Sequence, residues 1–173
     1  MSWLERTRQS LRGGDGADVL PIGEALHPVA LVSLVVLVVN DWILKPRLGP
    51  SVITGKLSDI SGLVAAPVVL TALLGLALLV ARKLGARVDP HLTHRRLVIA
   101  IAATGAVFAA IKLWPRASAW FVDALSVVRP ASVYLDRTDL LCLPALAIAY
   151  WIGRDELRRL GRLGRLGRLR TSR

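Results

Sequence analysis

The stretch ISGLVAAPVVLTALLGLALLVA, residues 60–81, runs for 22 positions without a charge. At ~1.5 Å per residue a helix of that length covers the ~30 Å hydrocarbon core of a bilayer. It is apolar on every side, so it offers no polar face to water. It predicts a membrane-crossing helix, and three further uncharged runs lie at residues 25–40, 97–111 and 140–153. The first reaches spanning length if it continues through Asp41, Trp42, Ile43 and Leu44, and the third if Lys112 snorkels to the interface. The fourth, the shortest, spans if it starts near Thr138 and Arg154 snorkels. The expected fold is all-α: a polytopic membrane protein with four transmembrane helices. Residues 1–24 form a cytoplasmic N-terminal segment, 25–153 the transmembrane domain and 154–173 a basic cytoplasmic tail.

Around these runs, 54% of the 173 residues are hydrophobic, and the 20% that are charged fall in blocks between them. That pattern excludes a disordered chain, a coiled coil and a disulfide-stapled secreted domain. Cys142 is the only cysteine, so it has no partner within the chain. Lys and Arg divide unevenly, with three in the N-terminal segment, five in the 82–96 loop and eight from Arg154 onward, against seven in the other loops. The positive-inside rule places both termini in the cytoplasm, and the expected location is the inner (cytoplasmic) membrane. Trp42, Trp114, Trp120 and Tyr134 then mark the outer boundary, Tyr150 and Trp151 the inner one.

Each outer loop carries a hydroxyl residue, an Asp and a following proline: Ser58-Asp59 before Pro67, and Thr138-Asp139 before Pro144. The match predicts two parallel helix-pair repeats. Two readings of these residues stand side by side. In one, Ser58 and Thr138 are N-caps and each Asp only favours the helix dipole. In the other, Asp41, Lys45, Lys56, Asp59, Asp136, Arg137 and Asp139 form a polar ligand-binding cluster at the outer helix ends, with Asp41 pairing Lys45 one turn on. Pro67 and Pro144 are expected to kink their helices, and Gly62, Gly75 and Gly105 to permit close helix contact. No metal site, cofactor or catalytic motif is expected, because Arg95 and Arg96 adjoin His91 and His94 and no ligand set is complete.

Together, Asn40-Asp41 before Lys45, Gly55-Lys56-Leu57-Ser58-Asp59 with Gly62 and Pro67, and Asp136-Arg137-Thr138-Asp139-Leu140-Leu141 with Pro144 carry a resemblance. This pattern resembles a group of small bacterial four-helix membrane proteins of unassigned function, and in layout, more distantly, the VanZ-like membrane proteins. The resemblance implies the fold and supplies no activity.

The functional expectation is a protein that binds or senses a polar ligand or partner at its extracytoplasmic face. A transporter or channel subunit, or an enzyme acting on lipid headgroups, is the alternative. Membrane lipids and further copies of the chain are the expected partners, nucleic acid is not, and anionic lipid is expected at Arg158, Arg159, Arg162, Arg165, Arg168 and Arg170 of the tail. Gly at every third tail position predicts a segment without stable helix in water.

Overall fold

The computed structural model describes residues 20–49, 51–126 and 135–171, and all regular structure among them is helical. The expectations for the N-terminal segment before residue 20 and for Tyr134 lie outside the described residues, as do the side chains of Arg162, Arg165, Arg168 and Arg170. Three helices are long and apolar enough to cross a membrane: α1 (Pro28–Leu48), α2 (Val52–Lys83) and α3 (His94–Leu113). A short helix, α4 (Pro115–Ser126), follows α3, and a 3-10 segment (Arg137–Ala145) leads into α5 (Leu146–Thr171). The fourth run is thus not a fourth long apolar α-helix; it begins as 3-10 winding.

The axis of the bundle is α2. Half of its most apolar window is buried, against 11% for α1 and 17% for α3. Leu63, Val64 and Val68 of α2 form the core with Ala30 of α1, Cys142 and Ala145 of the 3-10 segment, and Ala149 and Ile152 of α5. Helices apolar all round cannot choose a face by hydrophobicity, so small residues set the close approaches. A Cβ at Gly153 would collide with the side chain of Leu97, and one at Gly105 would come within 2.9 Å of Leu146 Cδ1. At Gly75 it would stand 2.7 Å from the Pro21 carbonyl oxygen and 3.1 Å from that of Pro90. Gly62, expected at a contact, faces open space instead.

Local windings follow the prolines unevenly. Pro46 has no N–H and its ring crowds the carbonyl four residues back, and the turn before it, Asn40–Leu44, widens to a π-helix closed by Lys45 N–H on the Asn40 carbonyl. Pro144 lies within the 3-10 segment. Pro67, expected to kink α2, sits inside a helix that continues unbroken from Val52 to Lys83.

One end of the 3-10/α5 unit is held at Asp139, bonded to Lys112 near the end of α3, and Gly153 meets Leu97 near the start of α3. The unit therefore runs antiparallel to α3 for most of its length. Past Gly153, α5 continues through Glu156, buried at 4% exposure, to Thr171. The tail expected to lack stable helix is thus helical, because its first turns are already packed and extension costs propagation without nucleation.

The glycine environments give a ranking. Gly75→Ala is expected to destabilise by about 1–3 kcal/mol, since backbone oxygens cannot step aside, whereas Gly62→Ala gains roughly 0.5–1 kcal/mol of helix propensity. Thermal unfolding of the detergent-solubilised variants measures the order, and a stabilising Gly75→Ala would refute the packing.

Candidate functional site

Ionic side chains from four segments converge at the end of the bundle where α1 and α3 stop and α2 begins. The start of α2 lies earlier than the Ser58-Asp59 pair suggests. Ser51 is its N-cap and forms a capping box with Thr54: Ser51 Oγ accepts the Thr54 N–H at 3.2 Å, and Thr54 Oγ1 accepts the Ser51 N–H at 2.9 Å. Asp59 therefore sits more than a turn inside the helix, beyond the reach of an N-terminal dipole. The residue capping the 3-10 segment is Asp136, not Thr138: its Oδ1 accepts the Thr138 N–H at 2.8 Å and its Oδ2 the Thr138 hydroxyl at 2.8 Å. Those two donors hold the Asp136 carboxyl below the usual carboxylate range. Capping thus accounts for Asp136 and not for Asp59. The Ser58-Asp59 and Thr138-Asp139 pairs, aligned in the sequence as a repeat, occupy different helix positions.

What places Asp59 and Asp139 is Lys112. Its ammonium donates to Asp139 Oδ2 at 2.6 Å and to Asp59 Oδ2 at 2.9 Å, and all three side chains are 15% exposed or less. Lys56 donates to the other oxygen of Asp139 at 3.1 Å and to Thr138 Oγ1 at 3.0 Å. Asp139 is thus held by one ammonium on each oxygen, and α2, α3 and the 3-10 segment are tied together. The Lys112 ammonium also lies 5.6 Å from the centre of the Phe108 ring, one turn earlier on α3.

A second branch enters from α1. Asp41 pairs with Lys45 at 2.7 Å, as the spacing predicts, and accepts the Ser58 hydroxyl at 2.5 Å. Asn40, with 0% exposure, donates from Nδ2 to Ser58 Oγ at 2.7 Å and to the Thr54 carbonyl at 2.7 Å. Ser58 spends its proton on Asp41 and the Thr54 carbonyl can only accept, so the amide orientation of Asn40 is fixed by its neighbours. Its Oδ1 is buried without a hydrogen-bond partner among the described residues.

Of the seven expected cluster residues, Lys56, Asp59 and Asp139 form the centre, Asp41 and Lys45 the α1 branch, and Asp136 the rim. Arg137 is exposed at the first 3-10 position and stands outside the bonded network. Lys112, Asn40 and Ser58 were not among the seven. Lys112, expected to snorkel, turns inward on the side of α3 that carries buried Leu97, Ala100 and Ile111 and half-buried Phe108.

The opposite end of the bundle has its own buried polar residues, Glu24, His27 and Glu156. His27 caps α1, its Nδ1 accepting the Val29 N–H at 3.2 Å, and packs edge-on against Trp151 at 5.0 Å. His94 meets Tyr150 in the same manner at 6.1 Å. Compared with protein-family profiles, curated proteins and solved structures, the chain matches none.

Removing one partner of a buried ion pair leaves the other charge uncompensated. Lys112→Met is expected to cost about 3–5 kcal/mol, and adding Asp59→Asn and Asp139→Asn to it should recover a large part. Lys56→Met should cost less, because Lys56 stays one-third exposed. Unfolding of the reconstituted variants decides, and a neutral Lys112→Met would refute the bridge.

Proposed function

We propose that the chain is a four-crossing inner-membrane protein, akin to the small bacterial membrane proteins it resembles, that binds a polar ligand at its extracytoplasmic face. The fourth crossing is the 3-10/α5 unit. Winding at ~2.0 Å per residue to Ala145 and ~1.5 Å thereafter carries the chain about 28 Å from Arg137 to Gly153, where α-helix throughout would cover about 24 Å. The extra reach brings a short run close to the bilayer's ~30 Å. An even number of crossings returns both termini to one side, and the Lys/Arg distribution makes that side the cytoplasm. The basic tail, carried on α5 with Arg158 and Arg159, then reaches anionic lipid of the inner leaflet.

The observation that carries the ligand reading is Asn40 Oδ1. A network serving only to clasp helices would pair its acceptors, and here, among the described residues, a fully buried carbonyl is left over beside groups that are otherwise bonded. Among the described residues the network also holds four carboxylates, Asp41, Asp59, Asp136 and Asp139, against three ammonium groups, Lys45, Lys56 and Lys112, so the fitting ligand supplies hydrogen-bond donors or positive charge. A transport path needs ionisable groups deep in the bilayer. Lys112 is the last residue but one of α3, which favours binding at the face over transport.

Topology is checked by impermeant thiol labelling in a Cys142→Ala background. Cysteines at Ser51, Ser126 and Leu135 should react from outside in intact cells, and those at Thr93 and Gly161 should not. Reaction at both Leu135 and Gly161 would remove the fourth crossing. Native mass spectrometry of the protein extracted with its lipids tests the ligand: a non-lipid adduct is expected on the wild type and lost from Asn40→Leu and Asp139→Asn. A bare wild type, or an adduct indifferent to both substitutions, would contradict the reading.

A further inference from the structure

Between the end of α3 and the first turns of α4 lies an open recess of about 660 Å³, lined by Trp114, Pro115, Arg116, Ala117 and Trp120. Trp114 is the single residue joining the two helices. Its backbone is extended, with φ −113° and ψ 118°, and Pro115 opens α4 at once. The chain therefore turns a corner where a membrane-spanning helix ends, and α4 starts at the edge of the bilayer.

The side chains of α4 divide into two sets. Ser118 is buried and Ala117, Phe121 and Val122 are half-buried, while Arg116, Trp120 and Asp123 face outward. Trp114 and Trp120 are 68% and 78% exposed. Two bare indoles in water are costly, whereas the headgroup layer takes an apolar ring together with its N–H. An amphipathic helix of about 18 Å that begins at the boundary and presents such residues lies along the interface.

We infer that this recess seats a phospholipid of the extracytoplasmic leaflet, with the phosphodiester on the Arg116 guanidinium and the glycerol and first acyl carbons against the indoles of Trp114 and Trp120. The chemistry selects that occupant. Among the described residues, Arg116 is the only charge on an otherwise apolar lining, and a guanidinium fork matches phosphate oxygens. Free phosphate would meet the same cation and make no use of the two rings. A phospholipid joins an anion to an apolar root and is at hand wherever α3 ends. The site shares no residue with the ion-pair network, and it depends on α3 crossing the membrane, not on a ligand at Asn40.

The test titrates the delipidated full-length protein in detergent, read by native mass spectrometry. The probes are phosphatidylcholine, a glucosyl diacylglycerol with the same acyl chains, and inorganic phosphate. Phosphatidylcholine has no net charge, which minimises competition from the basic tail. The expected result is a preference of about tenfold for the phospholipid over the glycolipid, the size of a charge-assisted hydrogen bond. Arg116→Gln should abolish that preference, Arg116→Lys should restore part of it, and Trp114→Ala with Trp120→Ala should weaken both lipids alike. All three positions are exposed, so the variants should fold, as circular dichroism will show. Equal binding of the two lipids to the wild type, a preference that survives Arg116→Gln, or displacement of the phospholipid by inorganic phosphate would overturn the assignment.

Discussion

An ammonium group that leaves water must be met by carboxylates, and Lys112 is met by two. Its bonds to Asp59 and Asp139 join α2, α3 and the 3-10 segment at one point of the bundle. Bringing these charges together costs desolvation, and their attraction offsets much of it only because the geometry is close and Lys56 shares Asp139. Such an arrangement adds little net stability over a well-packed apolar substitute. It does add specificity, because losing Lys112 strands Asp59 and losing Asp139 leaves Lys56 without its carboxylate. In a bundle whose helices are apolar all round, this polar contact supplies the register that hydrophobic packing cannot.

The 3-10 segment depends on that contact. Runs of this winding longer than three or four residues are uncommon, since their hydrogen bonds are poorer than those of an α-helix. Here nine residues adopt it, anchored by the Asp136 cap and the Asp139 ion pairs at one end and by the Gly153 approach to Leu97 beyond the other. Held at both ends along α3, a short apolar run covers more distance per residue than an α-helix would give it. On this account the π-turn of α1 works in the same sense, aiming Asn40 and Asp41 together at α2.

Legibility divided along physical lines. Uninterrupted hydrophobicity made the apolar helices readable, because length and absence of charge are sufficient signals for them. The Asp41–Lys45 pair was readable too, since spacing alone brings the two together. Lys112 was not, because α3 is apolar on every side and no stripe tells which way its last basic residue turns. Phe108, four residues earlier, shares its face, but nothing in the sequence distinguishes that face from the others. Ser58 was legible as a hydroxyl beside an Asp, and of its two readings the cap fails, because Ser51 and Thr54 form that cap a short way upstream. The 3-10 winding leaves no mark beyond Pro144, a residue that is compatible elsewhere in this chain with a continuous α-helix.

The central claim is that Lys112 faces inward and bridges two carboxylates. Solid-state NMR of the protein in lipid bilayers, with ¹⁵N-labelled lysine and ¹³C-labelled aspartate, reports it through dipolar dephasing between the Lys112 Nζ and the carboxyl carbons of Asp59 and Asp139. The account expects strong dephasing at both carbons, as the 2.9 and 2.6 Å contacts require; in Lys112→Arg, which lacks the labelled ammonium, it is lost at Asp59 and weakened at Asp139, where Lys56 remains at 3.1 Å. A Lys112 ammonium that shows water-exchange signals and no coupling to either carbon would place it at the membrane surface and contradict the account.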